Sequence, residues 1–333
     1  MTQSPFDVRM NKCMPMKTIK VKCIGFWGAF DPQDNFILDL LKKRYRVELS
    51  DEPEYLFYAT STEDFLDYDC VRIFYTGENV CPDFNLCDYA VGFERMTFED
   101  RYLRRPFYLD VPMYREDLER AMHKHEFCLE DLKEKTEFCS FIYSNKESDP
   151  FRDQLLDKIN SYKEVHSGGR YRNNIGGSVD DKFAYQWKHK FSIASENSYH
   201  TGYSTEKLVQ SLAALTIPIY WGDPSISRDF NEKAFINCHR YDSLDAVLER
   251  VIEIDQNEEL YLQMLREPAF YTDFSLEEKQ RELEEFIYHI IDQPYEKAFR
   301  KTRYCWGAIY EANAKRHRKM DRMAEKFLKI FHR

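Results

Sequence analysis

Short apolar runs rich in β-branched and aromatic residues alternate with stretches of helical periodicity, and this constrains the fold more than any other feature of the chain. IKVKCIGFW (19–27) reads as a strand, NFILDLLKKRY (35–45) as a helix, and EYLFYAT (54–60), VRIFYTG (71–77) and YAVGF (89–93) as further strands. Strands separated by helices imply a mostly parallel sheet. After a charged connector, RAMHKHEFCLEDLKEKTE (120–137), the pattern restarts with strand FCSFIYSN (138–145). A helix follows over 149–162, with Asp149 as cap and Pro150 at its first position. Next come strand KEVHSGG (163–169), helix DDKFAYQWKHK, strand FSIASEN, helix TEKLVQSLAAL, strand IPIYWG and helix SLDAVLERVIEIDQ.

The expected architecture is therefore two α/β units in sequence, 1–136 and 137–294, breaking near residue 135 and followed by a basic tail over 295–333. A chain of 333 residues is long enough for two such cores. There is no internal repeat and no low-complexity segment.

No stretch approaches the roughly 18 to 20 apolar residues of a membrane span, and the first 20 residues lack the apolar core of a signal peptide. A cytoplasmic protein is expected, peripheral at most on the inner face of the membrane. Nine cysteines without a C-x-x-C pair indicate reduced thiols, with neither a disulfide framework nor a zinc signature. The net charge of −10 is uneven, since Lys297–Arg333 holds 12 Lys and Arg against 3 Asp and Glu. The bulk of the chain repels nucleic acid, while the tail can meet an anionic surface. Within the tail, Met320, Met323, Phe327 and Phe331 recur at helical spacing among Lys319, Arg322, Lys326 and Lys329. Such a helix over 312–333 suits an anionic membrane, or packs its apolar stripe on the protein or on a homodimer partner.

The stretch SENSYHTGYSTEKLVQSLAALTIPIYWGDP (195–224) has the makings of a binding loop. Ligands of open α/β sheets sit beyond the carboxyl ends of the strands. Ser204 or Thr205 can cap the helix, whose N-terminus together with Lys207 would suit a phosphate. Glu206 is better used accepting ribose hydroxyls, although Glu and Lys in a first helical turn are also ordinary solvated residues. The fork of Arg152 is a second phosphate candidate, with a surface salt bridge as its plainer explanation. HSGGRYRNNIGG could approach a ligand closely but is not a P-loop. Asp67 and Asp69 imitate a metal-binding Asp-x-Asp, yet they precede a strand and read as a solvated turn. Catalysis without an obligatory metal or other cofactor is expected, a divalent ion being at most stimulatory.

SENS, GYSTEK and IPIYWGDP resemble the donor-binding signature of the family 10 α-1,3/4-fucosyltransferases. VRIFYTGENVCPDFNLCDYAVGF (71–93) and DRYLRRP (100–106) resemble the first domain of bacterial, Helicobacter-like members. The resemblance covers most of residues 70–270. It implies a GT-B fold, two facing Rossmann-like domains, and inverting transfer of L-fucose from GDP-β-L-fucose. The acceptor would be the 3-OH, or the 4-OH, of GlcNAc or glucose in an oligosaccharide or lipid-linked glycan, giving a Lewis-type product in lipopolysaccharide or another surface glycan. By matching positions, Glu78 takes the place of the general base, Arg152 and Lys207 of the diphosphate contacts, Glu206 of the ribose contact, and Asn197 and Tyr203 of further donor-site groups. Ser195 stands where the family usually has Phe, and Ser204 where it has Val. The alternatives are a transferase using another GDP-sugar and a non-catalytic sugar-nucleotide-binding protein.

Overall fold

The structure, a computed structural model, describes residues 16–28, 30–110 and 114–331. The reading of the N-terminal residues, with Cys13, lies outside them, as do the side chains of Lys329 and Phe331. Strands β1 (Thr18–Ile24), β2 (Arg46–Leu49), β3 (Tyr55–Tyr58), β4 (Val71–Tyr75), β5 (Tyr89–Gly92) and β6 (Tyr102–Arg104) form one sheet, ordered β2-β1-β3-β4-β5-β6. A second sheet holds β7 (Glu137–Phe141), β8 (Val165–Ser167), β9 (His189–Ser195), β10 (Ile217–Trp221) and β11 (Ile236–Asn237), ordered β11-β10-β9-β7-β8. Every pairing is parallel. β3, β4 and β5 are buried at every residue, as strands covered on both faces must be. This is the two-sheet α/β arrangement of a GT-B fold.

Local chemistry sets the helix starts. Asn35 Oδ1 accepts from the amides of Ile37 and Leu38, each at 3.1 Å, and opens α1 (Phe36–Lys42). Asp149 Oδ1 accepts from the Phe151 amide at 2.9 Å, so α3 (Phe151–Asn160) begins just after the expected Pro150. The first four residues of the expected connector, 120–123, instead close α2 (Arg115–His123), whose Leu118 and Ala121 share a core with Leu208 and Leu212 of α5 (Glu206–Ala213). The second sheet is packed by α3, α6 (Leu244–Gln256) and α7 (Glu258–Arg266), with α4 (Lys182–Trp187) beside β9.

The passage between units differs from the expected boundaries at both ends. Tyr108 and Leu109 already lie in the core of α5, so the chain leaves the first unit near 105–110 instead of near 135. Helix α8 (Leu276–Asp292), expected in the second unit, sends Leu283, Ile287, Ile290 and Ile291 into the core of the first sheet. Its Leu276 remains in the α5 core. Burial of a long apolar stripe against the covered face of the first sheet explains the return, which α9 (Tyr295–Ala298) completes. The guanidinium of Arg105 joins the two crossings, donating to Leu109 O at 2.5 Å and to Lys279 O at 2.9 Å.

The tail is the helix α10 (Cys305–Phe331), and it docks by charge. Buried Arg72 donates to Glu311 at 2.8 Å and Lys301 to the same carboxylate at 2.5 Å, while Arg318 and Arg322 pair with Asp67 and Asp64. Burial would push the Glu311 carboxyl up, but Arg72 and Lys301 hold it down at about 2. Asp67, expected in a solvated turn, thus pairs with the tail. The apolar stripe does not pack on the protein: Met320, Met323 and Phe327 are 61%, 50% and 58% exposed. Among the described residues no helix is long and apolar enough to cross a membrane, and the eight described cysteines are free thiols, five of them buried.

Candidate active site

Loops at the carboxyl ends of both sheets meet along one seam. Asn79, after β4, donates to Ser198 Oγ, after β9, at 2.7 Å. Arg95 and Arg104 of the first unit both reach Asp229 Oδ2 at 2.7 Å, and Arg95 Nε donates to Ser225 Oγ at 2.7 Å. Phe93 lies edge-on to Tyr203, ring centroids 5.1 Å apart.

Arg152 projects from the first turn of α3 and is fully buried. Its guanidinium lies 4.2 Å from the Tyr143 ring and donates to Asn197 Oδ1 at 2.5 Å, Asn145 O at 3.3 Å and Ser195 O at 3.5 Å. Tyr143 is itself fixed, its hydroxyl donating to Ile193 O at 2.9 Å and accepting from the Ser195 amide at 2.7 Å. Among the described residues no carboxylate lies within 4 Å of Arg152, and its Nε has no partner. A buried cation surrounded by neutral acceptors is costly unless an anion joins it.

Beside it, α5 starts on a buried carboxylate. Thr205 holds the N-cap position, but its hydroxyl does not cap the helix; it donates to Glu196 Oε2 at 2.6 Å, while its amide donates to Glu196 Oε1 at 2.8 Å. Ser204, the other cap candidate, is buried. Lys207 Nζ lies 3.2 Å from Glu196 Oε2 and 3.2 Å from Glu206 Oε1, and donates to Thr205 Oγ1 at 2.8 Å. Burial would lower the Lys207 pKa, but Glu196 and Glu206 raise it, so the ammonium is firmly charged. Burial would likewise push the Glu206 carboxyl up, and Lys207 with Lys182 hold it down at about 2. Gly222, at φ +152°, is what lets Glu196 in, since a Cβ there would lie 2.4 Å from Glu196 Cγ.

Tyr203 is 2% exposed, at the end of a loop organised by buried Asp223. Asp223 Oδ1 accepts from the Gly202 amide at 2.8 Å and from the Ser225 amide and hydroxyl, each at 2.7 Å. Gly202, at φ +86°, passes so close to the first unit that a Cβ would meet Phe93 O at 2.7 Å. Across the seam the Glu78 amide is fixed by Thr76 Oγ1 at 3.0 Å, whereas its side chain is exposed and, among the described residues, unbonded. The Glu78 charge is felt at Tyr203, whose phenol burial already raises.

Of the six positions singled out in the sequence, five lie in the loops and helix starts that follow β7 and β9, and Glu78 follows β4. Arg152 meets Asn197 and Lys207 meets Glu206, with Tyr203 and Glu78 completing the two sides. The arrangement offers two buried cations, Arg152 and Lys207, the second paired with Glu196 and Glu206, and an exposed carboxylate at Glu78 on the other unit. A separate cleft of about 500 Å³ beside α5 is lined by Glu116, Asp117, Arg120, Asp180, Lys182 and Gln210, among others, and its acidic wall suits no diphosphate.

The profile of the alpha-(1,3)-fucosyltransferase FucT N-terminal domain matches residues 21–111, and that of the glycosyltransferase family 10 (fucosyltransferase) C-terminal part matches residues 132–291. The chain belongs to glycosyltransferase family 10. This family 10 chain is 32% identical to the alpha-(1,3)-fucosyltransferase FucT of Helicobacter pylori, over 76% of its own length and 61% of that protein's. It is 29% identical to a putative fucosyltransferase of Acanthamoeba polyphaga mimivirus, over 65% of its own length and 36% of the viral protein's. It therefore spans only about six-tenths and about a third of these two relatives. A crystal structure of an alpha1,3-fucosyltransferase superposes with a TM-score of 0.70 at 28% identity, over 84% of this chain and 92% of that one. The same enzyme class crystallised with GDP-fucose superposes at 0.68, over 84% and 93%.

Two residues of this site, Tyr143 and Asp223, escaped sequence reasoning. Glu196 was visible in the Glu-Asn pair, where an acid ending an apolar strand signals a paired buried charge. Tyr143 and Asp223 carry no such mark, because their roles arise from hydrogen bonds to main chain distant in sequence. The family 10 departures at Ser195 and Ser204 are both fully buried small side chains that leave the strand end and the start of α5 intact.

Proposed function

We propose that this chain transfers L-fucose from GDP-β-L-fucose to the 3-OH, or 4-OH, of GlcNAc or glucose units in a glycan, inverting the anomeric centre. The observation that carries this reading is Arg152, a fully buried cation with no carboxylate partner among the described residues, on the same unit as Lys207 and the α5 N-terminus. A nucleoside diphosphate supplies the missing negative charge. Asn197 and Tyr203 line the donor side, and Glu206, held ionised, accepts ribose hydroxyls.

Exposed Glu78 takes the proton of the acceptor hydroxyl as its oxygen attacks the anomeric carbon. The bond from that carbon to the diphosphate oxygen breaks and GDP departs with the electron pair. Removal of the proton contributes roughly 10²–10⁴-fold. Arg152, Lys207 and the helix N-terminus stabilise the growing charge on GDP, an effect often worth about 3 kcal/mol per donor. No metal takes part in this scheme. An exposed carboxylate at Glu78, on the other unit from Arg152 and Lys207, favours a transferase over a protein that only binds sugar nucleotides.

The exposed apolar stripe of α10 supports a second element. The tail rests on the inner face of an anionic membrane, where a lipid-linked acceptor is presented.

The test is incubation with GDP-fucose or another GDP-sugar, EDTA, and lactose, N-acetyllactosamine or the type 1 disaccharide, with products read by mass spectrometry and linkage NMR. A fucosylated product supports the reading. Transfer from a different GDP-sugar, or tight GDP binding with no product from any acceptor, counts against the donor assignment or against catalysis.

A further inference from the structure

Three side chains with metal-ligand chemistry converge on the seam. Cys81 Sγ, a Glu94 carboxylate oxygen and a His200 ring nitrogen all lie within 4.8 Å of one another. Cys81 Sγ is 2.6 Å from Glu94 Oε1, and His200 Nε2 is 2.8 Å from the same oxygen. Cys81 and Glu94 belong to the first unit and His200 to the second, so the cluster exists only when the seam is closed.

We propose that Cys81, Glu94 and His200 form a zinc-type divalent-cation site that clasps the two units together. A thiolate, an imidazole and a carboxylate are a donor set that Zn²⁺ accepts, and the exposed side of Cys81 leaves the fourth position to water. Bond lengths to such an ion place its donors about 3.4 Å apart, so Glu94 need only draw back slightly.

The positions are prepared by neighbours that are already fixed. Asn79, two residues before Cys81, is bonded to Ser198, two residues before His200. Glu94 O accepts from the Tyr102 hydroxyl at 3.0 Å, and the adjacent Arg95 is anchored on Ser225 and Asp229. The His200 ring packs edge-on to Phe93, centroids 5.5 Å apart. Little ordering is left for the ion to impose, which favours binding. The ligand spacing resembles no zinc motif because the third ligand comes from the other unit. An ion there restrains the loop that carries Glu78, three residues before Cys81, against the loop that carries Tyr203. It takes no part in the reaction.

The test uses the full chain and the metal alone. Titration with Co²⁺ is expected to give one equivalent of a thiolate-to-metal charge-transfer band that Zn²⁺ displaces. Cys81→Ser removes the band, and His200→Gln weakens Zn²⁺ binding by more than the roughly 10–100-fold that loss of an outer-shell partner costs. Cys128→Ser, altering another exposed thiol, leaves both unchanged. Zn²⁺ at one hundred times its Kd raises the Tm of the wild type, but not of Cys81→Ser, by about 4 °C. Unchanged GDP binding by calorimetry shows that the variants fold. Absence of the band in the wild type, its survival in Cys81→Ser, or its loss in Cys128→Ser overturns the proposal.

Discussion

Glu196 Oε2 and Lys207 Nζ stand 3.2 Å apart with the carboxylate wholly buried, so each charge depends on the other. Lys207→Ala leaves an uncompensated buried carboxylate and should cost about 3–5 kcal/mol of stability. In the double variant Glu196→Gln/Lys207→Ala at least half of that loss should return, while GDP affinity stays low. Urea midpoints and calorimetry on the three proteins decide it; a single variant within about 1 kcal/mol of wild type would exclude the coupling.

Arg152 presents the opposite case, a buried cation without a counter-charge among the described residues. Arg152→Met should leave the ligand-free protein within about 1 kcal/mol of wild type, because the lost hydrogen bonds are offset by relief from burying the charge. Its affinity for GDP should fall about 100-fold. A large loss of stability without loss of GDP affinity would make Arg152 structural.

Glu78→Gln removes a base from an exposed side chain that holds no hydrogen bond among the described residues. GDP binding should stay within about twofold while transfer falls roughly 10²–10⁴-fold. Turnover within a few-fold of wild type would take Glu78 out of the base role.

Burial lowers the Lys124 ammonium to about 7, and its Nζ donates to Leu265 O at 2.7 Å. Its folded pKa lies below the unfolded value of 10.5, so between about 7 and 10.5 the unfolded chain binds more protons and this group makes stability rise with pH. The contribution is lost as pH falls through 7. Lys124→Met should flatten the pH dependence of the urea midpoint above pH 7, by up to about 1.4 kcal/mol per pH unit at the steepest point. Equal slopes for the two proteins would show that Lys124 keeps its normal titration.

The tail predicts a surface effect. The 333-residue chain should float with vesicles containing anionic lipid and not with neutral ones, and Met320→Ser/Met323→Ser/Phe327→Ser should remove most of that binding. Equal partition of wild type and variant, or concentration-dependent dimerisation lost in the variant, would assign the stripe to something other than a membrane.

The strands and helices with strong periodicity were legible because each buries a face against its own neighbours. β4 and β9 appear within a few residues of where VRIFYTG and FSIASEN place them. Residues 276–292 fall inside the expected second unit because their place in the sequence follows it, whereas the stripe Leu283 to Ile291 packs on the first sheet, which sequence order does not reveal. The short strands β2, β6 and β11 carry too few residues for a period to show. The positions in GYSTEK and YTGEN were legible as motifs. The burial of Arg152 was not, since burial follows from the Tyr143 ring and from β9.

The paired crossings joined by Arg105 also govern how the protein can move. With one passage the units could swivel in any direction; with two lying side by side the permitted motion is close to a rotation about the line joining them. Any opening of the seam would then turn as a book does about its spine, and closing would return the same pages to the same register.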